Sequence, residues 1–359
     1  MTAAKKKVKK LPLPRPSAED LLRWYARHRR DLPWRAKPGK RANPYRVWLS
    51  EIMLQQTTTA TVTGYYGAFL RRWPKIEDLA AAPRDEILAA WAGLGYYRRA
   101  RLLHDCAKII VAEHDGKFPP GEADLLRLPG IGRYTAAAIA AIAFERRANV
   151  IDGNVSRVIS RLYAIRKPLS SSTAQIRRLA EAIVPPSRYG DYAQALMDLG
   201  ATLCTPRRPQ CPVCPWQESC RAAQTGNPAR YPIAGAKTAK PVRRAIAFWL
   251  TDRTGRVWVR KRAETGLLPG MTEIPSSPWI EQLMPELSAV KDSAPAQARW
   301  RILPGEIRHN FTHFDLYIKV ASASVSSPMD GNGSWSRQSD LQKLALPTVM
   351  RKIIALAAK

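Results

Sequence analysis

Apolar residues recur at helical spacing from Ser17 to about Ala223, broken only by short Gly, Pro and Asp punctuation. Ser17-Ala-Glu-Asp20 reads as a capping-box-like start ahead of Leu21, Leu22, Trp24 and Tyr25. Pro44 opens a second helix through Val47, Trp48, Ile52 and Met53. Further helices are predicted over 60–71, 84–92, 98–114, 121–126, 134–143, 154–164, 173–183 and 192–204. The pattern changes near Thr225: residues 226–241 hold three prolines, two glycines and no apolar period, as a linker does. Strand-like runs follow at 244–250 and 256–262, flanking a hairpin-like turn at Asp252-Arg-Thr-Gly255, and again at 314–320. The Ser/Gly-rich stretch 322–336 reads as a mobile loop, and an apolar helix closes the chain at 347–358. The predicted fold class is therefore mainly α, with a helical domain over 17–223, a linker over 224–241 and an α+β domain over 242–359.

A length of 359 residues agrees with about two domains. Charge adds something that the pattern does not. Lys plus Arg is 58 against 29 Asp plus Glu, a net +29, which points to a polyanionic partner, most simply nucleic acid. No stretch approaches the roughly 20 apolar residues of a membrane helix, so no membrane partner is expected. Residues 1–16 form a basic, Pro-rich tail, with five lysines in the first ten positions and no apolar segment after them. This tail is expected to be disordered, to bind phosphates non-specifically, and not to be a secretory signal.

Four of the five cysteines, Cys204, Cys211, Cys214 and Cys220, lie in the frame C-x6-C-x2-C-x5-C within 17 residues. Pro212 and Pro215 favour a tight loop there. Four thiolates in so short a run suit zinc or an iron–sulfur cluster, in a reducing, cytoplasmic setting. Cys106 sits in an apolar helical pattern and reads as core. Upstream, Leu128-Pro-Gly-Ile-Gly-Arg-Tyr134 lies between two helical patterns. Gly130 and Gly132 allow a tight turn, and the next helix begins with free N–H groups, together a phosphate-sized anion site. This is a helix-hairpin-helix signature, assigning DNA-backbone contact to Leu128, Gly130, Ile131 and Gly132. Asp152 follows 18 residues after Tyr134, before a Gly and a new helix, where a simple N-cap would also place an aspartate.

Hairpin, aspartate and cysteine frame occur in this order in the endonuclease III superfamily of DNA glycosylases, which the chain resembles. The resemblance implies a two-lobed helical domain, a [4Fe–4S] cluster held by the four cysteines that breaks no bonds, and a cleft for a flipped base. Bifunctional lyases of that superfamily carry a lysine two residues after the second hairpin glycine; here the residue is Tyr134, so strand cleavage is expected to be weak or absent. Pro44-Tyr-Arg-Val-Trp-Leu-Ser-Glu-Ile-Met-Leu-Gln-Gln-Thr57, Leu32-Pro-Trp-Arg35 and Gly93-Leu-Gly-Tyr-Tyr-Arg-Arg-Ala-Arg101 resemble the MutY family of adenine glycosylases over about 17–223.

That resemblance places the catalytic acid at Glu51, an ionised carboxylate at Asp152, and orienting groups at Tyr134 and Asn154. Adenine leaves readily only when protonated, and a carboxyl can protonate it near neutral pH only from an apolar site. By the same resemblance Gln55 and Tyr97 wedge into the duplex, and Trp34, Arg35 and Gln194 line the adenine pocket. Gly266 to Trp279 and His309 to Phe314 are similar to the MutT-like (Nudix-fold) domain of that family. They place 8-oxoguanine recognition at Phe311, Thr312 and His313, with Thr272 departing from the usual aromatic. No R-E-x-x-E-E glutamate helix for Mg²⁺ is found, so this domain is expected to read a lesion rather than cut nucleotides. The expected partner is double-stranded DNA with adenine opposite 8-oxoguanine or guanine, bound by a monomer in the bacterial nucleoid. The rivals are an endonuclease III-type glycosylase/lyase acting on oxidised pyrimidines and a non-catalytic iron–sulfur DNA-binding protein.

Overall fold

A computed structural model of the chain describes residues 15–235, 239–326 and 331–358. The expected tail, through residue 14, and parts of the expected linker (236–238) and loop (327–330) lie outside the described residues. The described residues fall into two compact units, each drawn from two stretches: Met1–Gln55 with Lys117–Ala236, and Gln56–Gly116 with Lys237–Lys359.

The first unit is helical. It contains α1 (Ala18–His28), α2 (Pro44–Leu54), and, beyond the excursion that builds α3 (Thr59–Arg72), α4 (Ile76–Ala81), α5 (Arg84–Trp91) and α6 (Arg98–His114) of the second unit, it resumes with α7 (Glu122–Leu125), α8 (Arg133–Phe144), α9 (Gly153–Leu162), α10 (Leu169–Glu181), α11 (Tyr189–Asp198) and α12 (Arg221–Gln224). Local chemistry sets the helix starts. Ser17 Oγ accepts from the Asp20 N–H at 3.0 Å, and Asn43 Oδ1 accepts from the Arg46 N–H at 3.1 Å with Pro44 at the first helical position. α8, nearly all Ala and Ile inside, is buried on most of its length and packs on α2 and α11. α4, unseen in the pattern, is only six residues long and buries just Ile76 and Leu79; so short a helix shows too few periods to register.

The sheet belongs to the second unit. Its strands are β1 (Val242–Asp252), β2 (Val257–Lys261), β3 (Thr272–Glu273), β4 (Arg301–Ile302), β5 (Ile307–Asn310), β6 (Asp315–Val325) and β7 (Ser334–Ser336), with α13 (Thr348–Ala357) packed against β5 and β6. The order β3-β2-β1-β6-β4 centres on β1 and β6, which run parallel from Val242 opposite Asp315 to Asp252 opposite Val325. The loop expected over 322–336 is partly strand: Ser322 and Ser324 pair with Trp249 and Thr251, and β7 pairs with β2. The cause is alternation of Ala321 and Ala323 inward with serines outward, an amphipathic pattern too faint in side-chain hydrophobicity to read as a strand. Among the described residues no helix is long and apolar enough to cross a membrane.

One buried side chain makes many of the bonds that hold the segment after α11. Arg161 of α9, 1% exposed, donates Nε to the Tyr231 carbonyl at 2.9 Å, Nη1 to the Cys204 and Thr205 carbonyls at 3.0 and 2.8 Å, and Nη2 to the Pro206 carbonyl at 2.8 Å. Replacement by methionine keeps much of the volume and strips the Tyr231, Thr205 and Pro206 carbonyls of this donor, while the Cys204 carbonyl keeps Arg157 Nε at 2.8 Å. Arg161→Met should therefore lose about 3–5 kcal/mol by urea denaturation. A loss below about 1 kcal/mol would show that water replaces the guanidinium and that Arg161 is not the tether.

Candidate active site

α2 carries Glu51 among Val47, Trp48, Ile52 and Met53, all buried, and Glu51 itself is 5% exposed. Its Oε2 accepts one hydrogen bond, from the Tyr134 hydroxyl at 2.6 Å. Burial raises its pKa to about 7; the Tyr134 hydrogen bond and the Arg35 charge work against this, and the Asp152 charge adds to it. Glu51 can thus carry a proton at neutral pH.

Asp152 meets different surroundings. It is the N-cap of α9, and its Oδ1 accepts from the Val155 N–H at 2.6 Å. Its Oδ2 accepts from Asn154 Nδ2 at 3.0 Å, and Asn154 Oδ1 in turn accepts from Arg157 Nη2 at 2.8 Å. Burial raises its pKa, while the Val155 and Asn154 hydrogen bonds and the Arg157 charge oppose the rise. Arg157 also donates to the Gly200 and Cys204 carbonyls at 2.6 and 2.8 Å. Position 200 must be small: a Cβ there would fall 2.6 Å from the Asn154 Cβ, so only glycine lets this turn approach the start of α9.

Cys204, Cys211, Cys214 and Cys220 line one small pocket next to Arg161. Burial pushes the Cys214 thiol up to about 12, and the thiols of Cys204, Cys220 and Cys211 push the same way. Four thiolates here need strongly positive metal among them. The four cysteines ring one pocket, a donor set that suits a cluster of several irons.

In the hairpin, Gly130 has φ +75° and the Ile131 N–H donates to the Leu128 carbonyl at 3.2 Å. Gly132 is exposed and caps α8. Leu128 and Ile131, expected to touch DNA, are each 5% exposed, so their side chains anchor the turn and leave its backbone to face a phosphate. The expected wedge residues are not the exposed ones of their pairs. Gln55 is half-buried, with Nε2 donating to Thr135 Oγ1 at 3.2 Å, and Tyr97 is buried with its hydroxyl accepting from the Gly93 N–H. Their neighbours Gln56 (φ +59°) and Tyr96 (φ +48°) are the exposed ones. Of the expected adenine pocket, Trp34 is buried, Gln194 donates to the Gly190 carbonyl, and Arg35 makes a two-pronged ion pair with Asp198. Phe311, Thr312 and His313 form the turn between β5 and β6, where the Phe311 N–H meets the Phe314 carbonyl at 2.9 Å. Phe311 stacks on Phe314; Thr312 and His313 are exposed, and the Thr312 hydroxyl lies 2.7 Å from that of Tyr96. Thr272 is buried in β3. Residues 274–300, after β3, contain no α-helix.

Residues 49–186 match the HhH-GPD superfamily of base excision DNA repair proteins, residues 204–220 the iron–sulfur binding domain of endonuclease III, and residues 246–356 a NUDIX domain. The Homo sapiens adenine DNA glycosylase is 35% identical over 398 residues, spanning 93% of this chain and 72% of that protein. That of Buchnera aphidicola subsp. Baizongia pistaciae is 33% identical over 348 residues, spanning 95% of this chain and 96% of its own length. The chain belongs to the adenine DNA glycosylase family. It is a monofunctional DNA glycosylase of base excision repair, and its four clustered cysteines hold a [4Fe–4S] cluster. A solved thermostable thymine-DNA glycosylase is 31% identical, with a TM-score of 0.52, covering 58% of this chain and 95% of that one.

For an adenine DNA glycosylase, a carboxyl held protonated has a cost in stability. Between its ordinary value of 4.5 and about 7, the folded protein keeps a proton on Glu51 that the unfolded chain releases. Stability therefore falls as pH rises through that window, by about 3 kcal/mol in all. Glu51→Gln should match the parent near about pH 5 and exceed it by up to about 3 kcal/mol near about pH 8 in urea denaturation. An equal gain at both pH values would mean that Glu51 is not the titrating group.

Proposed function

We propose that this glycosylase hydrolyses the N-glycosidic bond of adenine opposite 8-oxoguanine, and also opposite guanine, with Glu51 as general acid and Asp152 as the anion that stabilises the sugar cation. The buried Glu51–Tyr134 pair beside a many-donor Asp152 carries the reading. The target nucleotide leaves the stack. Glu51 gives its proton to N7 of adenine, the C1′–N9 bond breaks, and its electrons leave with the base. The oxocarbenium sugar forms beside Asp152, whose anion is favoured by the Val155 and Asn154 hydrogen bonds and the Arg157 charge where Glu51 has one donor. Water adds at C1′, returning a proton to the Glu51 carboxylate and leaving an abasic site. Tyr134 and Asn154 orient the pair. Tyr134 stands where a lyase would need an amine, so no Schiff base forms.

We assign the duplex wedge to Gln56 and Tyr96, because both are exposed and project from left-handed backbone. Trp34, Arg35 and Gln194 are assigned to the adenine pocket. The division of labour follows the sequence: 17–223 breaks the bond, 224–241 links, and 242–359 reads the opposite base through Phe311, Thr312 and His313. The protein acts as a monomer on mismatched DNA in the bacterial cytoplasm, at the nucleoid.

The test is a labelled duplex with one adenine opposite 8-oxoguanine, half of each sample taken through hot alkali. Cleavage at that adenine only after alkali is expected. Strong cleavage without alkali would make the protein a lyase; tight binding with no cleavage at all would make it a non-catalytic binder. On the same assay, Thr312→Val should lower the preference for 8-oxoguanine over guanine by about tenfold, the worth of one hydrogen bond. An unchanged preference would remove Thr312 from lesion reading.

A further inference from the structure

Arg161 is 1% exposed, and its hydrogen bonds among the described residues go to the four carbonyls named above and to one sulfur: Nη1 donates to Cys204 Sγ at 3.2 Å. No carboxylate is among these partners. The carbonyls ask for donors and not for a charge, so neutral groups could serve them. A guanidinium cannot shed its proton, and a buried cation with no anion beside it is strongly unfavourable. The anion that this cation meets is therefore the sulfur. Arg161 also lines the pocket ringed by Cys204, Cys211, Cys214 and Cys220, and it is the one positively charged residue among the described residues around that pocket. Four thiolates about an iron–sulfur core leave the whole negative, so the pocket that holds it needs a cation that solvent does not screen. Arg157, the other arginine near Cys204, is half-buried and donates to the Cys204 carbonyl.

We infer that Arg161 is the buried counter-ion of the cluster: its N–H···S bond to Cys204 and its unscreened charge favour the electron-rich state and raise the potential at which the cluster gives up an electron. Hydrogen bonds to the sulfurs and the net charge around them are what set such potentials. The step is the loss of one electron to a one-electron oxidant such as ferricyanide. No proton moves with it, since the guanidinium keeps its own in both states. This role is separate from tethering the loop, which works through the carbonyls.

The experiment is a ferricyanide titration of the full-length, cluster-loaded protein, followed by the visible absorbance of the cluster and by its paramagnetic resonance. Arg161→Gln should lower the midpoint by about 59 mV or more, tenfold in a one-electron equilibrium. Arg207→Gln, at an exposed position between Cys204 and Cys211, should leave the midpoint in place because solvent screens that charge. A merely structural Arg161 lowers resistance to urea and leaves the potential unchanged, and that result overturns the inference. An equal drop in Arg207→Gln overturns it too, since any cation of the loop would then do. If Arg161→Gln does not hold a cluster, the parent protein labelled with heavy-nitrogen arginine decides the question. Pulsed resonance of its paramagnetic cluster should show coupling to a guanidinium nitrogen, and no coupling overturns the inference.

Discussion

On the proposed reading, the chemistry depends on one buried carboxyl keeping its proton. Glu51 sits mid-helix on α2, where the backbone offers it no donor and its neighbours are apolar; its one hydrogen bond comes from Tyr134. Asp152 sits at the N-terminus of α9, where free N–H groups and the positive end of the helix dipole favour an anion. Burial raises both carboxyls, but at Asp152 the Val155 and Asn154 donors and the Arg157 charge oppose the rise, where Glu51 has one donor against it. This is how one pocket can hold an acid and an anion together.

α9 carries that arrangement to the cluster loop. Asp152 caps it, Asn154 links the cap to Arg157, and Arg157 and Arg161, one turn apart, donate to carbonyls of the segment that begins at Cys204. Gly200 lets the turn after α11 lie against Asn154. The iron–sulfur cluster needs no part in bond-breaking to matter here. Held by a cluster, Cys204 would keep in place the carbonyl to which both Arg157 and Arg161 of α9 donate.

The cysteine frame and the hairpin glycines were legible because their chemistry demands particular residue types at particular spacings, whereas Glu51 and Asp152 were singled out by resemblance and look, taken alone, like a helix-face glutamate and an N-cap. Most helices were legible from their periods. What failed to show were features set by a single residue's backbone angle or by distant contacts. α2 ends at Leu54, and the left-handed turn at Gln56 aims Gln56 outward and leaves Gln55 on Thr135; Tyr96 and Tyr97 differ in the same way. Two identical side chains in a row give no sign of which one faces solvent. Asp198 looked like an ordinary helix residue because Arg30 and Arg35 lie more than 160 positions away. β3 and β4, two residues each, are made by their partners and not by local preference.

A protonated acid and a buried ion pair both weaken the unit that contains them, so packing must offset them. The cluster loop contributes to that packing directly. Trp216, between Cys214 and Cys220, is 3% exposed and shares a core with Leu21 and Tyr25 of α1, Ala137, Ala138 and Ala141 of α8, and Val155, Val158 and Ile159 of α9. Its Nε1 donates to the Ser17 carbonyl at 2.8 Å, at the very start of α1. Cys204, Cys214 and Cys220 pack against the same core. A loop that short cannot bury a tryptophan in a fixed pose by its own contacts, since ordering it costs roughly 1–2 kcal/mol per residue in backbone entropy. Metal–thiolate bonds would supply further constraint, and the Trp216 contacts then tie the loop to the helices that carry Tyr134 and Asp152.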